Sequence, residues 1–154
     1  MLSPDQRERY DQTVKSPPPW TLPKPALASW NAAHRAFERH FVESGGRLLI
    51  GADASDFGVV PGYANHSAII ALVHAGFRPE QVIRFATRDA ADFLGIGNER
   101  GSVAIGQRAD LLIVKGAPDR RIDDIRNVAI VFKDGLAFDP EKLRAAARGK
   151  LGLH

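Results

Sequence analysis

The stretch Arg47-Leu48-Leu49-Ile50-Gly51-Ala52-Asp53 decides the fold class of this chain. A short, nearly all-apolar run of this kind is typical of a strand buried on both faces, as in a parallel sheet. The strand is expected to end at Gly51, so that Asp53 lies just beyond its C-terminal end. In α/β barrels, the residues that carry chemistry lie at that end of the strands.

A helix is predicted directly before this strand. Ser29 is suited to be its N-cap, and apolar side chains recur at helical spacing from Trp30 to Phe41. The pair Gly45-Gly46 is expected to end the helix. A helix, a glycine turn and a buried strand form the repeating unit of an α/β barrel or doubly wound sheet, which predicts the α/β class. Residues 1–28 are rich in proline and are predicted to be an irregular lead-in.

Two more helices are predicted after Asp53. The first covers His66 to Ala75 and is closed by Gly76. The second begins at Pro79, in the first turn, and is interrupted at Thr87. Residues 29–100 are therefore interpreted as the last βα units of a barrel.

The periodicity changes to that of strands after Gly101. The β-rich segments predicted there include Val103 to Ile105, Leu111 to Val114 and Val128 to Phe132. The dipeptide Asp134-Gly135 predicts a hairpin turn. Residues 101–154 are interpreted as the strands of a small β-domain followed by a closing helix that starts at Pro140.

Composition excludes several classes of protein. The chain has 154 residues, 44% of them hydrophobic and 25% charged, as in an ordinary globular protein. It has no cysteine, which excludes disulfides and thiolate metal sites. The polar start and the lack of a long apolar run predict a cytoplasmic protein without a membrane partner. The basic cluster Arg144, Arg148 and Lys150 has no aromatic platform beside it, so we interpret it as a solvated helix face and expect no nucleic-acid partner.

The order of several short motifs resembles the C-terminal third of the metal-dependent amidohydrolases. The motifs are Gly51-Ala52-Asp53, then His66, then Ala86-Thr87, and the final run from Gly101-Ser102-Val103 to Gly106-Gln107-Arg108-Ala109-Asp110-Leu111. The resemblance covers about residues 29–145. It implies a distorted (β/α)8 barrel followed by a small β-sandwich domain, of which this chain holds the C-terminal part.

The resemblance also implies a reaction. Members hydrolyse amide, cyclic amide or peptide-like C–N bonds of small molecules by using water activated by one or two divalent metals, commonly zinc. Asp53 matches the family aspartate that ligates the metal and acts as general base. Asp110 matches a structural position at the start of a strand. His66 follows the Asp53 loop, where its side chain either contacts substrate at the barrel mouth or packs against that loop.

The other ligands that the resemblance implies are absent from this sequence. There is no His-x-His pair, and the family's bridging lysine and two further histidines are expected upstream of Met1. A catalytic zinc takes three protein ligands and a water, so Asp53 alone does not hold one. The isolated chain is therefore expected to be inactive, with the N-terminal part either missing from this gene product or supplied by a complementing N-terminal chain.

Two alternatives remain open. The chain could be a non-catalytic structural or interaction fragment, because an unpaired strand edge at Leu48 to Ile50 and the apolar side chains Trp30 and Phe37 would favour a homo-oligomer or a complementing chain. A hydrolase that uses Ser55 and His66 is ranked last, because no Gly-x-Ser-x-Gly elbow is present.

Overall fold

The structure is a computed structural model, and it describes residues 4–16, 21–53, 59–60 and 62–149. Ser55 and Lys150, which figured in two of the interpretations above, lie outside these ranges. The described elements, in chain order, are α1 (Pro4–Lys15), α2 (Lys24–Glu43), α3 (Tyr63–His74), α4 (Pro79–Ala86), α5 (Arg88–Phe93), β1 (Leu111–Val114), a 3-10 helix (Ile122–Arg126), β2 (Val128–Lys133), β3 (Leu136–Phe138) and α6 (Pro140–Ala147).

The prediction that residues 1–28 are irregular was wrong for two segments. Residues 4–15 form α1, and α2 begins at Lys24 with Pro23 as its N-cap, not at Ser29. Proline is compatible with the first turn of a helix, because the amides there have no partner within the helix. The segment after Pro4 consists mainly of polar residues with fair helix propensity and contains no further proline.

Two predicted strands are not formed. Leu48 to Ile50 has no regular secondary structure, although the three side chains are half-buried and two of them pack against the core. Val103 and Ile105 are also outside any strand and are exposed. A strand needs a hydrogen-bonded neighbour, and the described residues pair only β1, β2 and β3 with one another.

The hydrophobic core joins the two halves of the chain. Ile69 and Ile70 of α3 and Val82 of α4 are buried together with two isoleucines of the 3-10 helix. Phe77 and Phe85 meet edge to face within it, with their ring centroids 5.7 Å apart, a favourable arrangement for aromatic pairs. The core therefore holds α3, the first described helix after Asp53, against both α4 and the 3-10 helix.

The predicted end of α3 and the predicted limits of α4 are confirmed, but α3 begins at Tyr63 and not at His66, since the His66 amide already donates to the Gly62 carbonyl. Helix α3 ends at His74, and Gly76 adopts a φ of 103°, which allows the sharp turn into α4. Helix α4 starts at Pro79 and ends before Thr87, as expected. The Arg39 guanidinium donates a hydrogen bond to the Ala75 carbonyl and thereby ties α2 to this turn.

The C-terminal strands form an antiparallel sheet in the order β1-β2-β3. Leu111 lies opposite Phe132, and Val131 lies opposite Phe138. The two-residue turn between β2 and β3 has positive φ at both positions, 49° at Asp134 and 83° at Gly135, which is the geometry that favours a tight hairpin. The hairpin and its two strands are confirmed.

The buried carboxylate of Asp124 organises the link between β1 and β2. It accepts hydrogen bonds from the Ala117 amide at 3.0 Å and from Arg121 Nε at 2.8 Å. The hydrogen bond from Arg121, followed by that from the amide, lowers the pKa of Asp124. Gly116 has a φ of 114°, and a Cβ there would lie 2.3 Å from Asp124 Oδ2. The segment between β1 and β2 therefore requires glycine at position 116 and an ionised carboxylate at Asp124.

We expect Phe85→Ala to lower the free energy of unfolding by about 3–5 kcal/mol, because it leaves a cavity beside Phe77 in the core. The matched control is Phe93→Ala, at a side chain that is 63% exposed; it should change this free energy by no more than about 0.5 kcal/mol. Urea denaturation measures both. Equal losses in the two variants would contradict the core described here.

Candidate functional site

Asp53 ends a segment that is anchored in the core. Leu48 and Ile50 pack against the buried cluster, whereas Asp53 itself is exposed. Residues 54–58 are outside the described ranges, and α3 begins at Tyr63. Asp53 therefore lies on the entry side of the connection into α3 and is an exposed residue.

His66 lies in the first turns of α3, on the exit side of the same connection. Its amide donates a hydrogen bond to the Gly62 carbonyl at 3.2 Å, and its side chain is half-buried. Burial, and secondly the positive charge of Arg126, lower the pKa of His66 below 6.5. Around neutral pH the imidazole is therefore neutral, with one nitrogen that donates and one that accepts a hydrogen bond.

Arg126 is the neighbour of His66 that the sequence analysis missed. The guanidinium carbon lies 4.8 Å from the centre of the Tyr63 ring, within cation–π range. Its Nη2 donates a hydrogen bond to Ser67 Oγ at 3.2 Å, across 59 positions of the sequence. No local pattern in the sequence signals this contact, because it depends on how the 3-10 helix packs against α3.

The structural role predicted for Asp110 is confirmed. Its carboxylate accepts hydrogen bonds from Arg100 at 2.6 Å, from Lys133 Nζ at 3.0 Å and from the Asp134 amide at 2.8 Å. The amide and then Lys133 are the main causes of its lowered pKa. Asp110 thus joins the segment before β1 to the β2–β3 hairpin and is occupied by internal partners.

A cavity of about 370 Å³ lies between α2, the segment 48–51 and α3. Trp30 and His34 of α2 form part of its wall, with their ring centroids 4.1 Å apart. Aliphatic residues of the 48–51 segment and α3 form the opposite side. Asp53 and His66 are not among the described residues that line it, so the cavity is a gap beneath α2 and not the space beside the candidate base.

The described residues do not fit a complete metal centre. Across residues 4–16, 21–53, 59–60 and 62–149, no group of three or more His, Cys, Asp or Glu could hold a metal ion. A catalytic zinc takes three protein ligands. Within the same ranges, no helix has the length and apolar character needed to cross a bilayer.

Comparison with known proteins identifies the family. Residues 30–139 match the model of the amidohydrolase family, and this chain belongs to that family. In addition, 89% of the chain overlays a Xaa-Pro dipeptidase solved with bound methionine in its active site, with a TM-score of 0.65 and 30% sequence identity. The overlay covers 34% of the dipeptidase chain. The described mixture of helices and sheet is thus part of an amidohydrolase fold.

Curated relatives give the same assignment over a similar span. An imidazolonepropionase of Thermoplasma volcanium is 30% identical over 116 residues, which cover 68% of this chain and 26% of that protein. An imidazolonepropionase of Symbiobacterium thermophilum is 33% identical over 94 residues, covering 60% of this chain and 22% of that protein. The chain thus spans about a quarter of the length of these relatives.

We expect the His66 ring to titrate below pH 6.5, the ordinary value, when its signals are followed by NMR. Because the folded-state pKa is lowered, the unfolded chain binds the proton more tightly, and the free energy of unfolding must fall as the pH drops below 6.5. His66→Gln should reduce this fall. His74→Gln, at an exposed histidine of the same helix, should preserve it. A ring titration above pH 6.5 would contradict the buried setting of His66.

Proposed function

We propose that this chain is the C-terminal part of a hydrolase that cleaves a C–N bond in an amide, cyclic amide or peptide-like small molecule. The observation that carries the proposal is the family match over residues 30–139, which includes Asp53 at the end of the core-anchored 48–50 segment. Family membership supports C–N hydrolysis as the reaction class. Imidazolonepropionases and a dipeptidase are among its relatives, which suggests a substrate similar in size to the substrates of those enzymes.

In this proposal, Asp53 is the general base. A base must be reachable by water and substrate and must be held by a rigid support. The exposed Asp53 meets the first requirement, and the packing of Leu48 and Ile50 against the core meets the second. The carboxylate would accept a proton from the attacking water and return it to the leaving nitrogen. His66 would contact the substrate through its neutral imidazole.

The proposal also includes a divalent metal, with zinc as the family's common choice. Asp53 would be one of its ligands. The described residues offer no complete ligand set, so the other ligands would come from outside them, either in the same polypeptide or in a complementing chain. We therefore assign the activity to that larger assembly and not to residues 1–154 alone.

The test of Asp53 combines the chain with an N-terminal polypeptide that supplies the other ligands, from the same gene or from a separate one, referred to as the upstream polypeptide. The assembled protein should hydrolyse members of a panel of Xaa-Pro dipeptides and cyclic amides. Asp53→Asn should lower kcat by about 10²–10⁴-fold, the usual contribution of a general base. Asp119→Asn, which changes an exposed carboxylate next to Arg120, is the matched control and should retain the activity. Full activity in Asp53→Asn would refute the assignment.

A second candidate function is that of an interaction fragment, and the surface of α2 favours it. None of the 20 residues of this helix is buried in the described part of the chain. Trp30, Phe37 and Phe41 are 52%, 67% and 41% exposed. Aromatic side chains at this spacing form an apolar face of the kind that a partner usually covers. The partner would be a second copy of the chain or a complementing N-terminal chain.

Light scattering after size-exclusion chromatography tests this candidate. The wild-type chain should elute as an oligomer, or as a complex when the upstream polypeptide is present, and the double variant Trp30→Ser/Phe37→Ser should elute as a monomer. Tyr10→Ser in α1 removes an exposed aromatic of another helix and should leave the assembly intact. A monomeric wild type that also fails to bind the upstream polypeptide would contradict the interaction role.

A further inference from the structure

We propose that Arg126 is a positioning residue of the candidate site. It reaches from the 3-10 helix to the first turns of α3 and fixes them, and with them the side chain of His66, at the exit of the Asp53 connection. The functional meaning of this inference depends on the proposed function, whereas its geometry does not.

The 3-10 helix is itself firmly held. Ile122 and Ile125 are buried in the same cluster as Ile69 and Ile70 of α3. On its other side, the Asp124 carboxylate is bound by the Ala117 amide and by Arg121. Asn127, the residue after the helix, donates a further hydrogen bond to Asp124 at 3.4 Å. Arg126 therefore extends from a rigid base.

Two contacts of Arg126 fall on one turn of α3. Its guanidinium lies over the ring of Tyr63, and its Nη2 binds Ser67 Oγ. Ser67 Oγ in turn donates to the Tyr63 carbonyl at 3.1 Å. One planar group thus bridges positions 63 and 67, four residues apart on the same face of the helix. His66 lies between them in the sequence.

The location of this turn gives the contact its importance. The first amides of a helix have no partner within the helix. In α3 the Ala64 amide donates to the Val60 carbonyl at 2.9 Å, and Gly62, the N-cap, adds no side-chain hydrogen bond. Such a turn is prone to fray. The contacts of Arg126 with Tyr63 and Ser67 hold this turn through its side chains, at the end of α3 that is nearest to Asp53 in the sequence.

Arg126 also sets the charge around His66. A guanidinium stays protonated at all relevant pH values, so its positive charge disfavours protonation of the nearby imidazole. Burial is the larger cause of the lowered pKa of His66, and the charge of Arg126 adds to it. The side chain that holds the turn thus also favours the neutral imidazole, from a position 60 residues away in the sequence.

The experiment compares the full chain with Arg126→Ala, Arg126→Lys and the control Arg120→Ala by NMR. Arg120 is a highly exposed arginine shortly before the 3-10 helix, so its removal matches the change in net charge. In Arg126→Ala, the His66 titration midpoint should rise, and amide exchange at residues 64–67 should become about tenfold faster, as expected when a cation–π contact and a hydrogen bond are lost. Arg120→Ala should change neither quantity.

Arg126→Lys separates the effect of the charge on His66 from the effect of the contacts with Tyr63 and Ser67, because lysine keeps the positive charge but lacks the planar guanidinium group. The His66 midpoint should stay near that of the wild type, while exchange in the first turns becomes faster. If Arg126→Ala does not fold, Arg126→Lys alone tests whether Arg126 holds the first turns of α3. Unchanged exchange at residues 64–67 in Arg126→Lys would overturn the inference, as would equally accelerated exchange at Ile69 and Ile70. Because no substrate is used, this result is independent of the Asp53 activity test.

Discussion

The structure depends on the burial of Ile122 and Ile125 against Ile69 and Ile70. The helices involved are short, and α3 and α4 have only 12 and 8 residues. Isolated helices of this length are marginal in water, so tertiary packing must supply their stability. This contact joins the first buried core residues in the sequence, on α3, to the last ones, on the 3-10 helix. Without it, neither the direction of α3 nor the place of the candidate site would be defined.

Two buried or partly buried aspartates support this packing in different places. Asp124 closes the link that leads into the 3-10 helix, and Asp110 joins the segment before β1 to Lys133 in the hairpin. The pKa of each is lowered in the folded state. Their stabilising contribution is therefore present at neutral pH and is lost as the pH falls through the folded-state pKa values. Both carboxylates are engaged by internal partners, as expected for structural residues.

The apolar surfaces of the N-terminal half agree with a chain that spans about a quarter of its relatives. Helix α2 exposes aromatic side chains, and Leu48 to Ile50 has no strand partner in the described ranges. Such surfaces become stable when further elements cover them. Among the described residues, likewise, no group of His, Asp or Glu forms a full ligand set.

Local chemistry was sufficient to predict much of this chain. Pro79, Gly76 and the pair Asp134-Gly135 restrict the backbone by themselves, and the elements that they bound are confirmed. The order of motifs from Gly51-Ala52-Asp53 to Asp110-Leu111 pointed to the family, which the match over residues 30–139 confirms, whereas the role of Asp53 stays a prediction. A strand prediction was wrong where the conformation depends on contacts with distant segments. Leu48 to Ile50 reads as a strand, but a strand exists only when another strand binds its edge.

The amino-acid sequence by itself thus determined the helix ends marked by Gly76 and Pro79, the hairpin and the family. These depend on φ restrictions and on short motifs that act within a few residues. Only the tertiary structure decided that Arg126 lies over Tyr63 and binds Ser67. It also decided that Asp124 holds the 3-10 helix in place. Such contacts arise from the packing of the isoleucine core, and no local sequence pattern encodes which distant side chains that packing brings together.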